Sequence, residues 1–206
     1  MINEIQNAKV LFYQKKYEQA LEIFELNNEF YYAGLCCLLQ KDLDKAKKLF
    51  EKNKDNCPAC EFGLVVIDYI NNKRDKIPSF FQTRAFLEIY ISLFIENNLE
   101  DYCENLISAC DTLFNGNPEA YKFIARALFA NGYFDLAITF CKKSLDLFYS
   151  DPEALLIVAQ CYYLINNKPE ALNYTKKLRR LIKDYYPAIL FEEMLIKDLR
   201  QQGVKI

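Results

Sequence analysis

Sliding this chain thirty-four residues along itself brings two segments into register, and a period of that length leaves few folds open. Residues 117–150 and 151–184 each open on Asn or Asp followed by Pro-Glu-Ala. They share a small residue at Ala125 and Ala159, and a second at Ala137 and Ala171. Each segment holds two amphipathic stretches. Two such stretches in about 34 residues describe a helix–turn–helix unit, which buries its apolar faces only by stacking on neighbours.

Composition agrees with an array of helices. A chain of 206 residues has room for about six such units. Apolar residues make up 52% and charged residues 26%, which is the balance of an ordered soluble protein. Five Gly and six Pro leave little scope for β-turn chemistry. The net charge of −2 creates no global field that would gather nucleic acid. The densest basic run, Lys176, Lys177, Arg179, Arg180 and Lys183, reads as the solvated side of a helix. No run is long enough to span a membrane, and the first residues lack the apolar core and cleavage site of a signal peptide. A cytoplasmic protein with reduced thiols is expected. Of its eight cysteines, Cys37, Cys103, Cys110, Cys141 and Cys161 stand where a helix needs a small apolar residue.

Stops and starts punctuate the pattern. The pairs Lys15-Lys16, Lys41-Asp42, Asn97-Asn98, Asn131-Gly132 and Asn166-Asn167 separate apolar stretches. Asn and Gly tolerate the left-handed conformation that ends a helix. Pro118 and Pro152 suit the first helical position, where the missing N–H has no partner to lose. Asn117 and Asp151 precede them as N-caps.

On these residues the chain resembles the tetratricopeptide repeat family. Residues 1–26 carry Ala8, Leu11, Tyr17, Ala20 and Phe24 in the order and spacing of that family's pattern. Residues 27–58 carry Gly34, Cys37, Ala46, Phe50 and Pro58. The last two repeats, 117–150 and 151–184, carry Ala125, Leu128 and Ala137, then Ala159, Tyr162 and Ala171. The middle departs from the pattern. In residues 59–77, Arg74, Asp75 and Pro78 leave almost no second helix, so this repeat is degenerate. Residues 78–116 open on a first helix that is long for the family, and 186–202 form a C-terminal capping helix. The resemblance implies one all-α domain over 1–206, a right-handed superhelix of about twelve antiparallel helices.

The chemistry of catalysis is sparse. There is no histidine, so Ser-His-Asp and Cys-His relays are excluded. Glycine-rich phosphate loops and nucleophile elbows are missing from the sequence as well. An enzyme is not expected, nor is a cofactor. The sharpest local motif is Cys57-Pro58-Ala59-Cys60. It could be a redox dithiol or half of a zinc site. Alternatively Pro58 is the repeat-ending proline and both cysteines fill small positions beside it. No strand precedes the motif and no second ligand pair accompanies it, which favours the packing role.

A non-catalytic adaptor that binds a polypeptide in a concave groove is therefore the expected function. A client-holding chaperone and a self-assembling homo-oligomer are the alternatives. The family's groove positions, carried onto this chain, include Lys9 and Phe12, Tyr31 and Leu35, Lys122, Arg126 and Phe129, and Gln160 and Tyr163. Lys122 and Arg126 stand one turn apart and could receive a carboxylate. The family's carboxylate clamp sets an Asn beside its basic residues, and this chain does not reproduce it.

Overall fold

A computed structural model describes residues 2–114 and 116–201, Ile2 by its backbone alone. Among the described residues there are twelve α-helices and no strand. The chain falls into two compact units, Met1–Leu113 and Phe114–Ile206.

The first unit begins with two helix pairs, α1 (Ile2–Tyr13) with α2 (Tyr17–Leu26) and α3 (Phe30–Leu39) with α4 (Leu43–Glu51). Then come α5 (Pro58–Ile70), α6 (Phe80–Glu96) and α7 (Glu100–Leu113). The second unit pairs α8 (Pro118–Ala130) with α9 (Phe134–Leu147) and α10 (Pro152–Leu164) with α11 (Lys168–Leu181). Helix α12 (Tyr186–Gln201) packs on α11 and closes that unit.

The same device ends the first helix of each pair. At the turns after α1, α3, α6, α8 and α10 one residue is left-handed: Lys15, Lys41, Asn98, Gly132 and Asn166. The next N–H reaches back five residues to a helix carbonyl: Lys16 to Leu11, Asp42 to Cys37, Leu99 to Phe94, Tyr133 to Leu128, Asn167 to Tyr162. These bonds span 2.7–2.9 Å and satisfy carbonyls the helix end would orphan. Beyond the turn the two helices cross at alanine. Ala8, Ala20, Ala46, Ala125, Ala137, Ala159 and Ala171 are all fully buried, because only a small side chain lets the axes approach.

Helix α5 ends with the same stop. Asn72 is left-handed, and Lys73 N–H bonds to Asp68 C=O at 2.8 Å. No helix follows before Ser79. Pro78 cannot donate a helical bond, and the residue ahead of a proline avoids helical geometry. Helix α7 packs on α5 instead. Asn105 donates to the Ile70 carbonyl at 3.2 Å, and Arg74 donates to Thr112 and Ser108 at 2.9 and 3.0 Å. Ser79 then starts α6 with a complete capping box closed by Gln82.

Candidate functional site

Each unit places the expected groove residues differently. In the first unit, Phe12 and Leu35 are 4% and 2% exposed and belong to the core, not to an open face. Lys9 is half-buried, its ammonium 5.0 Å over the Tyr32 ring. Tyr31 is half-buried too, with its ring 6.3 Å from Phe50 and 6.4 Å from Phe86.

Phe12 packs within its own helix pairs, against Tyr17 and Tyr32, whereas Tyr31 is covered by Phe86 of α6. Its Phe86 and Tyr90 rings lie 5.7 and 5.5 Å from Phe62 of α5. At its far end, the Lys15 ammonium donates to the Glu96 carbonyl, and the Tyr17 hydroxyl donates to Asn97 Oδ1 at 2.6 Å. The chain's own long helix therefore lies against Tyr31 of α3 and Phe62 of α5 and reaches the α1–α2 turn. Burial holds the Tyr31 and Tyr90 phenols well above the ordinary tyrosine range, so both stay neutral.

In the second unit Lys122 is 7% exposed. Its Nζ meets Glu119 Oε1 at 2.7 Å, Asp151 Oδ2 at 2.9 Å and Glu153 Oε2 at 3.3 Å. Burial alone would lower the ammonium's pKa, but hydrogen bonds to Glu119 and Asp151 more than offset it and push the group up. An ammonium already shared by three internal carboxylates is not a receptor for an outside one, which corrects its assignment. Tyr163 is also committed, donating to Asp198 Oδ2 at 3.0 Å and resting edge-on against Phe191 at 5.8 Å. Arg126 bonds Glu153 Oε1 at 3.2 Å through Nη1 while keeping 41% of its side chain exposed. Phe129 and Gln160 are half-buried. Arg126, Phe129 and Gln160 are thus the second-unit candidates that remain reachable.

Cys57 is the N-cap of α5, with its Sγ accepting the Cys60 N–H at 3.3 Å. Cys57 is half-exposed and Cys60 fully buried. Among the described residues no group of three or more His, Cys, Asp and Glu is placed to hold a metal ion.

One open apolar surface of the first unit lies outside the expected groove positions. Ile77, Phe81, Ala85 and Ile89 recur every four residues along the outward side of α6 and its lead-in. Phe81 is 80% exposed, Ile77 64% and Ile89 45%. Beside them runs a groove of about 740 Å³, walled by Pro58, Ile77, Phe81, Ala85 and Phe86, with Glu61 as its charged residue. It adjoins a polar cavity of about 840 Å³ between α4, α5 and the segment that replaces a helix. Lysines 47, 54, 73 and 76 share that cavity with Glu51, Asp55, Asp68 and Asp75. The Gln82 amide donates to Glu61 Oε2 at 2.5 Å on the boundary of the two. The four-residue spacing of the apolar stripe was available in the sequence. Its exposure was not, because that depends on which side of α6 meets α3 and α5.

No protein-family model matches this chain, and no curated protein matches it. Among solved structures it is similar to YrrB, described as a TPR protein with an unusual peptide-binding site. The identity is 15%, over 92% of this chain and 90% of that one, with a TM-score of 0.47. It is similar to the C-terminal part of a TPR repeat-containing protein from Cytophaga hutchinsonii. That match has 19% identity over 97% of this chain and 72% of the other, with a TM-score of 0.49. The TPR domain of P58(IPK) matches at 13% identity over 98% of this chain and 68% of that one, with a TM-score of 0.46. The chain's own helix pairs, left-handed stops and alanine crossings make it a helical-repeat protein with tetratricopeptide-like units. No described helix is long and apolar enough to cross a membrane.

Proposed function

We propose that this chain is a non-catalytic adaptor that holds a segment of another polypeptide, and that its first unit does so along the outward side of α6. One observation carries the reading: Phe81, Ala85 and Ile89 form an exposed apolar stripe beside a groove walled by Pro58 and Phe86. A phenylalanine left 80% in water gains nothing from the fold that exposes it. Contiguous apolar surface of this kind is characteristic of interaction sites. A partner segment with two or three apolar anchors at helical spacing fits a stripe of this period. Arg126, Phe129 and Gln160 provide a second, more polar contact patch in the other unit.

Selection from a random peptide library tests the proposal. Peptides enriched on the wild-type protein should carry spaced apolar anchors and should lose binding to a Phe81→Glu/Ile89→Lys variant. Enriched peptides that bind this variant equally well would remove α6 from the site. A chaperone would instead prefer unfolded proteins over any defined peptide. A self-assembling scaffold would grow in mass with concentration by light scattering.

A further inference from the structure

We propose that Cys57 and Cys60 form an oxidisable dithiol, which a hydroperoxide closes into a disulfide across the first turn of α5. Three observations single this pair out among eight cysteines. Cys57 is the only one of them that is not buried, so an oxidant from solvent reaches it first. Its sulfur lies over the start of α5 and accepts the Cys60 N–H at 3.3 Å, and the Cys60 thiol is within hydrogen-bonding reach of it across one turn. The surroundings are dry and aromatic. Cys60 is fully buried, and so is the Tyr90 side chain of α6, whose hydroxyl is close enough to be influenced by both sulfurs.

The chemistry runs in two balanced steps. Cys57 loses its proton to water and its sulfur attacks the near oxygen of the hydroperoxide. An S–O bond forms, the O–O bond breaks, and the leaving alkoxide takes up a proton as alcohol (water, for hydrogen peroxide). Cys57 is then a sulfenic acid. The Cys60 sulfur attacks the Cys57 sulfur, the S–S bond forms, and the hydroxyl leaves with the Cys60 proton as water. Two thiols are oxidised and one peroxide is reduced. Burial, with the Cys57 sulfur beside it, pushes the Cys60 thiol up, so Cys60 stays protonated and the first attack belongs to Cys57. The bridge forms one residue from Pro58, which walls the groove beside α6.

Peroxide titration followed by thiol blocking and tryptic mass mapping tests this directly. In the wild-type protein, blockable thiols should fall from eight to six, and peptide 55–73 should emerge unblocked and two hydrogens lighter. Cys60→Ser should stop at the sulfenic acid, trapped by dimedone on Cys57. Cys57→Ser should keep all of its thiols under the same dose. Eight thiols surviving in the wild type would overturn the proposal. So would a dimedone adduct on wild-type Cys57 without a bridge, or thiol loss in Cys57→Ser at the wild-type rate.

Discussion

Lys122 Nζ stands 2.9 Å from Asp151 Oδ2, while the other oxygen of that carboxylate accepts the N–H groups of Glu153 and Ala154 at 2.9 and 3.0 Å. One buried side chain therefore caps α10 and anchors α8 to it. Removing the ammonium leaves Asp151, which is 3% exposed, as a buried charge without its counter-ion. Lys122→Met should cost about 3 kcal/mol in chemical denaturation. Arg126→Met, whose pair with Glu153 is exposed, should cost under about 1 kcal/mol. Equal costs would mean that the Lys122 cluster is not the joint described.

Phe50 is wedged between two glycines of neighbouring helices. A Cβ on Gly34 would come within 2.4 Å of its ring, and one on Gly63 within 2.8 Å. Gly34→Ala and Gly63→Ala should each destabilise by about 1–3 kcal/mol, because the ring is fully buried and has nowhere to turn. Phe50→Leu should recover part of the Gly34→Ala loss, and a double-mutant cycle measures that coupling.

Tyr90 and Tyr69 are both buried phenols with opposite expectations. The Tyr69 hydroxyl donates to the Lys76 carbonyl at 2.7 Å, whereas among the described residues the Tyr90 hydroxyl makes no well-formed hydrogen bond and has the Tyr31 phenol beside it. Tyr69→Phe should cost about 1 kcal/mol. Tyr90→Phe should be neutral or stabilising by up to about 1 kcal/mol, since it removes a polar group already stripped of water. A loss at Tyr90 equal to that at Tyr69 would show that its hydroxyl is bonded in solution.

Burial pushes the thiols of Cys37 and Cys103 up to about 11. The unfolded chain releases these protons near pH 8.5, while the folded chain keeps them. Stability is thus fully present below about pH 8.5 and declines as pH rises toward 11. Melting temperatures should fall between pH 8 and pH 10.5, and Cys103→Ala should lessen that fall by one thiol's share, since Cys36, Cys60, Cys110, Cys141 and Cys161 are raised by burial as well. A flat profile in the wild type would contradict the burial of these thiols.

The repeat was legible because its determinants are local. The spacing of Ala125, Ala137, Ala159 and Ala171 and the left-handed turn residues act within a few residues of where they stand. The missing second helix after α5 was legible in Arg74, Asp75 and Pro78 for the same reason. What sequence could not supply was the answer to that absence. Helix α7 packs directly on α5, α6 lies over Tyr31 and Phe62, and Phe12 and Leu35, expected in a groove, are core. The fate of Lys122 was likewise hidden, because Asp151 reaches it from twenty-nine residues away through the stacking of α8 and α10.

The exposed side of α6 carries the functional account, and Phe81 is its largest exposed group. The direct measurement is a binding isotherm for one library-selected peptide on wild type and on Phe81→Glu, with equal folding checked by circular dichroism. Burying a phenylalanine ring contributes about 2–3 kcal/mol, so the account predicts at least tenfold weaker binding for the variant. Unchanged affinity would contradict it.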